Sequence, residues 1–128
     1  MTRIEKAREL RARTDVHINC CQSVLIPFAQ EMGLTEDQAF ALGTNFNAGM
    51  RCGSVCGTLT GALMVLGSAG FAPGEADAFL RKFREEHGDI NCAVLLKNSR
   101  DKGLERKPHC DGLVFEVVEA LDKMMAER

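Results

Sequence analysis

Six cysteines in 128 residues are the side chains with most chemistry to offer: Cys20, Cys21, Cys52, Cys56, Cys92 and Cys110. Two share a lead-in. Ile18-Asn19-Cys20 recurs as Ile90-Asn91-Cys92, and each copy opens an apolar run, Val24-Leu25 after the first and Val94-Leu95-Leu96 after the second. Asparagine is a favoured N-cap, so Asn-Cys places the thiol at the first helical position. The preceding isoleucine can fold back as a staple, with Leu95 placed to receive Ile90. Cys56 falls in the first turn of a predicted fourth helix and Cys110 at the start of a predicted seventh. Four helices are therefore expected to offer a cysteine near the N-terminus. Unpaired N–H groups and partial positive charge there favour the thiolate, the form that attacks and binds metal.

Four such ends brought together make a site for a soft metal or an iron–sulfur cluster. No C-x-x-C knuckle is present, which argues against a zinc ribbon, so tertiary structure must assemble the site with one ligand per helix. Other readings stay open. A free cysteine can simply fill a core. His17, His87 and His109 lie near cysteines, with surface or capping roles weighed against a ligand role. The glycine-rich loop before the fourth helix could bind an anion, but it lacks the G-x-x-x-x-G-K of a phosphate loop. No nucleophile–base pair or general acid–base pair can be placed, so no enzymatic reaction is assigned.

The elements that must position these thiols read as helices throughout, by 3.6-residue periodicity and capping signals. A charged helix is expected at about 2–12, within a charged N-terminal segment 1–15. The second runs from Cys20 to Met32, capped by Asn19 with Gln22 at the third helical position, and kinked at Pro27. The third, capped by Thr35, runs to Gly43, and a loop, TNFNAGMRCG, follows. The fourth, at about 54–68, is apolar on almost every side, as expected of a central helix. Gly53, Gly57 and Gly61 recur on it at four-residue spacing, which implies close approach of another backbone. The fifth follows Pro73, with Phe79, Leu80 and Phe83 on one face. The sixth spans about 91–100, GLERKPH is a linker, and the seventh carries Leu113, Val114, Val117, Leu121 and Met124 at core spacing. The expected fold is a single all-α domain over 1–128, a bundle of six or seven helices around the 54–68 helix.

Composition narrows the function. With 16 basic and 18 acidic residues and no basic stripe, neither nucleic acid nor a membrane surface is an expected partner. The sequence contains no Trp or Tyr, which weakens any base-stacking reading. The first residues, MTRIEKARELRART, lack the apolar core of a signal peptide, and the Val55–Ala72 run is broken by glycines and short for a bilayer. A cytoplasmic protein is expected, and there an even cysteine count points to metal binding or thiol redox work rather than structural disulfides.

Taken in order, NC-x-x-x-VL at 19–25, GMR-x-G-x-x-CG-x-x-TGALMVLG at 49–67, NC-x-x-LL at 91–96 and C-x-x-LV at 110–114 resemble the C_GCAxxG_C_C family of putative redox-active proteins, over about 16–120. The resemblance implies redox activity and metal or iron–sulfur binding through four cysteines, here Cys20, Cys56, Cys92 and Cys110. It departs from the family pattern at Thr58, where the family has alanine, and at Asn47-Ala48-Gly49, where the family has a run of glycines. Cys21 and Cys52 are additional. Periodicity alone buries Cys21 in the Leu25, Phe28, Met32 stripe, whereas the resemblance selects Cys20. The leading expectation is an electron-transfer module holding an iron–sulfur cluster, with an unidentified electron partner and a possible homo-oligomeric state. The alternatives are a metal-free thiol–disulfide protein, with Cys52 and Cys56 as candidate redox pair, and a zinc-stabilised or purely structural helical interaction module.

Overall fold

A computed structural model describes residues 1–128. It contains seven α-helices and no strand, only one isolated antiparallel bridge, Val55 to Asn91. The helices are α1 (Arg3–Ala12), α2 (Cys20–Leu25), α3 (Glu36–Gly43), α4 (Gly57–Ser68), α5 (Pro73–His87), α6 (Cys92–Asp101) and α7 (Arg106–Ala126). Local chemistry sets most of the starts. Thr2, Asn19 and Thr35 close capping boxes with Glu5, Gln22 and Gln38, and the Asn91 side chain accepts from the Val94 N–H. Pro73 opens α5, and Gly88 ends it in a left-handed conformation.

α4 is the central helix. It packs on α2, α5 and α7, and buries Leu59, Ala62, Val65 and Leu66. α7 contributes Leu113, Val114, Val117, Val118 and Leu121 to the same core. Each large buried aliphatic side chain stabilises the bundle by roughly 1.5–3 kcal/mol. The expected close approach of a backbone is that of α2. A Cβ on Gly57 would lie 2.8 Å from the Phe46 carbonyl oxygen and 3.3 Å from Cys21 N, and one on Gly61 3.1 Å from the Cys21 carbonyl oxygen.

Three boundaries differ from expectation. The second helix stops at Leu25 and tightens into a 3₁₀ turn, Ile26–Phe28, because Pro27 cannot continue the α-helical ladder. α4 begins at Gly57 rather than 54, so Cys56 is its N-cap and Gly53 lies in the preceding loop. That loop makes a left-handed turn, with φ of 52° at Ala48, 65° at Gly49, 57° at Met50 and 65° at Arg51. Finally, α7 begins at Arg106. Most of the segment read as a linker is its first turn, because Pro108 falls where a proline costs no helical hydrogen bond. Cys110 is therefore the fifth residue of α7 and not at its start, and three cysteines rather than four sit at helix N-termini.

The glycines of α4 give a paired test. Gly61→Ala should destabilise the protein by about 1 kcal/mol or more, because its new Cβ meets Val24 and backbone of α2. Gly67→Ala adds a methyl into open space and should stabilise by up to about 1 kcal/mol. Thermal melts of the two variants check opposite signs on one helix.

Candidate redox site

Two loops bring the cysteine-bearing ends together. Residues 54–56 run antiparallel to 90–92: Cys92 N–H donates to the Ser54 carbonyl at 2.6 Å and Cys56 N–H to the Ile90 carbonyl at 2.8 Å. These bonds start α4 and α6 side by side. On the other side of α4, Asn19 at the head of α2 is buried, and its amide donates to the Gly43 carbonyl at 3.0 Å. α7 is tied to the end of α1. Arg11 pairs with Asp111 at 2.7 Å and donates to the Ile18 carbonyl at 2.8 Å, while Lys107 donates to the Arg11 carbonyl at 2.7 Å.

The result is one cavity of about 320 Å³ with Cys20, Cys56, Cys92 and Cys110 all in its wall. Cys21 and Cys52 are not part of it. Cys21 is fully buried under α4, as the helical stripe required, and burial pushes its thiol up to about 12. The neighbouring Cys20 is half-buried and faces the cavity, so periodicity and family resemblance each described a different one of the two residues. Cys52 is exposed, with its thiol 3.7 Å from the Gly49 carbonyl. Cys56, the other half of the candidate redox pair, is buried in the cavity wall. All six thiols are free.

The cavity thiols are electrostatically unequal. The Cys20 thiol is held well below the ordinary range, first by a hydrogen bond from the Cys110 thiol and then, against its burial, by the Arg11 charge, the Thr58 hydroxyl and Arg106. Cys110 is pushed up correspondingly by its bond to Cys20. Burial and the Cys20 charge raise Cys56 to about 11, and the same two causes raise Cys92. Cys20 is therefore the first thiolate, and the group raises the cost of a second. This gives a pH dependence: below its pKa Cys20 is a slow thiol, above it a fast thiolate. In reduced, metal-free protein its alkylation should reach half-maximal rate below the ordinary thiol pKa of about 8.5. Cys110→Ala removes the donor and should move that midpoint upward; rates of alkylation against pH, followed by peptide mass, measure it.

Sequence reasoning missed three of the groups that act on these sulfurs. Arg11 and Arg106 lie far from Cys20 in sequence or sit in the segment read as a linker; the basic run beside Cys110 was the one available signal. Thr58 stood out only as a departure from the family. It is fully buried, its Oγ1 has no conventional hydrogen-bond partner, and its hydroxyl faces Cys20 and Cys56. Of the histidines, His17 and His109 line the cavity. His87 does not; its Nε2 lies 3.0 Å from a Glu116 carboxylate oxygen, and Glu86, His87 and Glu116 form a separate cluster with donor atoms within 4.8 Å of one another.

No helix is long and apolar enough to cross a membrane. No curated protein and no solved structure matches the chain. A family model does, over residues 18–124, a span that begins just before Cys20 and ends beyond Cys110. The chain belongs to the family described as putative redox-active protein (C_GCAxxG_C_C).

Proposed function

We propose that this protein is an electron-transfer module in which Cys20, Cys56, Cys92 and Cys110 hold an iron–sulfur cluster. The observation that carries this reading is the selection of cysteines. Four of the six, drawn from four different helix ends or turns, line one cavity, while the buried Cys21 and the exposed Cys52 do not. Thiolates are the ligands that suit iron–sulfur clusters. When bound, the cluster supplies a one-electron couple. The chain supplies the rest: Arg11 and Arg106 offset thiolate charge, Thr58 offers a hydroxyl to sulfur, and the apolar wall of Leu10, Ile18, Leu95 and Leu113 limits water.

A second reading has one observation in its favour: Cys20 and Cys110 line the same cavity and each shifts the other's thiol. In a metal-free protein that pair could lose two electrons and two protons to form one disulfide. Cys52–Cys56 is the less favoured pair, since one thiol is exposed and the other faces the cavity. Anaerobic purification separates the readings. A cluster gives a brown protein, bleached by dithionite, with iron and acid-labile sulfide in matched amounts. A colourless protein whose thiol count falls by two on oxidation would establish the disulfide couple instead.

A further inference from the structure

The walls of the cysteine cavity carry a one-sided charge. Its 20 lining residues include Arg11, Arg13, Arg106 and Lys107, with His17 and His109, and no Asp or Glu, in a chain that has more acidic than basic residues overall. The exposed members, which form the mouth, are Arg13, His17, Asn47, Arg106 and Lys107. Nearby carboxylates answer only part of this charge. Asp111 serves both Arg11 and Lys107, and Asp15 serves Arg13. Arg106 has no side-chain hydrogen bond or ion pair, yet its charge reaches Cys20 and Cys92. An exposed arginine that holds no carboxylate, in the wall of the cysteine cavity, is available to an incoming anion.

We infer that the redox centre exchanges electrons with a small anionic molecule, drawn into the cavity mouth by Arg106, Lys107 and Arg13. This rests on the reading of the four cysteines as a redox centre and adds the class of its co-substrate. A concave mouth of this size suits a small ligand better than a flat protein face. Cationic walls of low polarity raise the local concentration of anions and speed their arrival by about 10- to 1000-fold, an effect that salt removes. Electrons balance simply. Each one-electron oxidant takes one electron from a cluster, or two such oxidants take two electrons from a thiol pair, which releases two protons and forms one S–S bond.

The test uses two outer-sphere oxidants of opposite charge, ferricyanide and hexaammineruthenium(III), against the full-length reduced protein in a stopped-flow spectrometer. At low ionic strength the ferricyanide rate should fall steeply with added salt, and the hexaammine rate should rise. Arg106→Glu should lower the ratio of the two rates at least about tenfold, Arg106→Lys should restore most of it, and Lys82→Glu on the exposed face of α5 should leave it unchanged. A changed potential in a variant alters both rates together and leaves the ratio in place. Equal salt dependence for the two oxidants, or a ratio indifferent to Arg106, would overturn the inference. A protein that gives up no electrons to either oxidant would instead overturn the redox reading beneath it.

Discussion

Cys20→Ser is expected to abolish retention of iron, while Cys21→Ser keeps it, although the two residues are adjacent. The difference follows from direction. Cys20 is at the first position of α2 and faces the cavity beside Cys110, Arg11 and Thr58. Cys21 points under α4, where its neighbours are Gly57 and Gly61. Serine at 20 replaces the soft thiolate most easily formed in the site. The loss should exceed the ~10–100-fold that follows removal of a group merely supporting a ligand. Serine at 21 places a hydroxyl in a fully buried apolar position, so its cost is stability, about 1–3 kcal/mol. Cys56→Ser, Cys92→Ser and Cys110→Ser should behave as Cys20→Ser does. Bound iron per folded chain, with melting temperature measured in parallel, separates the two kinds of loss.

The second large effect is expected at Gly49. Its φ of +65° belongs to the left-handed region, and a Cβ there would lie 2.5 Å from the Ser54 carbonyl oxygen and 2.7 Å from the Cys92 Cβ. Two costs therefore add in Gly49→Ala. Left-handed backbone costs a non-glycine residue about 1–2 kcal/mol, and overpacking against atoms that cannot swing aside costs about 1–3 kcal/mol. A protein of this size has about 5–15 kcal/mol of stability in all, and each kcal/mol moves the melting temperature by a few degrees. The melting temperature should fall by about 10 °C or more. Because the clash pushes on Cys92 and on Ser54, whose carbonyl starts α6, iron retention should fall as well. Gly33→Ala, also at positive φ but with nothing within 4 Å, should lose only the backbone part and keep the iron.

What the sequence made legible was what short-range chemistry decides. Asn19 and Asn91 cap their helices through bonds three residues long, so Cys20 and Cys92 could be placed at helix starts without knowing the fold. The apolar run of α4 and its glycine spacing likewise led to the central helix and the close approach at Gly57 and Gly61. The misplaced start of α7 has a local cause. GLERKPH was read as a linker, whereas its Pro108 falls in a first turn, where there is no N–H partner to lose. The remainder depends on contacts between residues distant in sequence. The Val55–Asn91 bridge that sets α4 beside α6, and the Arg11–Asp111 pair that sets α1 against α7, leave no periodic trace. For the same reason the basic mouth could not be read from a nearly balanced charge count.

The central claim is that Cys20, Cys56, Cys92 and Cys110 act as one centre and the other two cysteines do not. Differential alkylation of the anaerobically purified protein, with peptide mass mapping before and after chelation of iron, tests it most directly. The account predicts that Cys52 is labelled promptly in both states and Cys21 in neither while the protein stays folded. It predicts that Cys20, Cys56, Cys92 and Cys110 are protected together and become reactive together when iron leaves, Cys20 fastest. Protection confined to one or two of the four, or reactivities that ignore iron altogether, would contradict it.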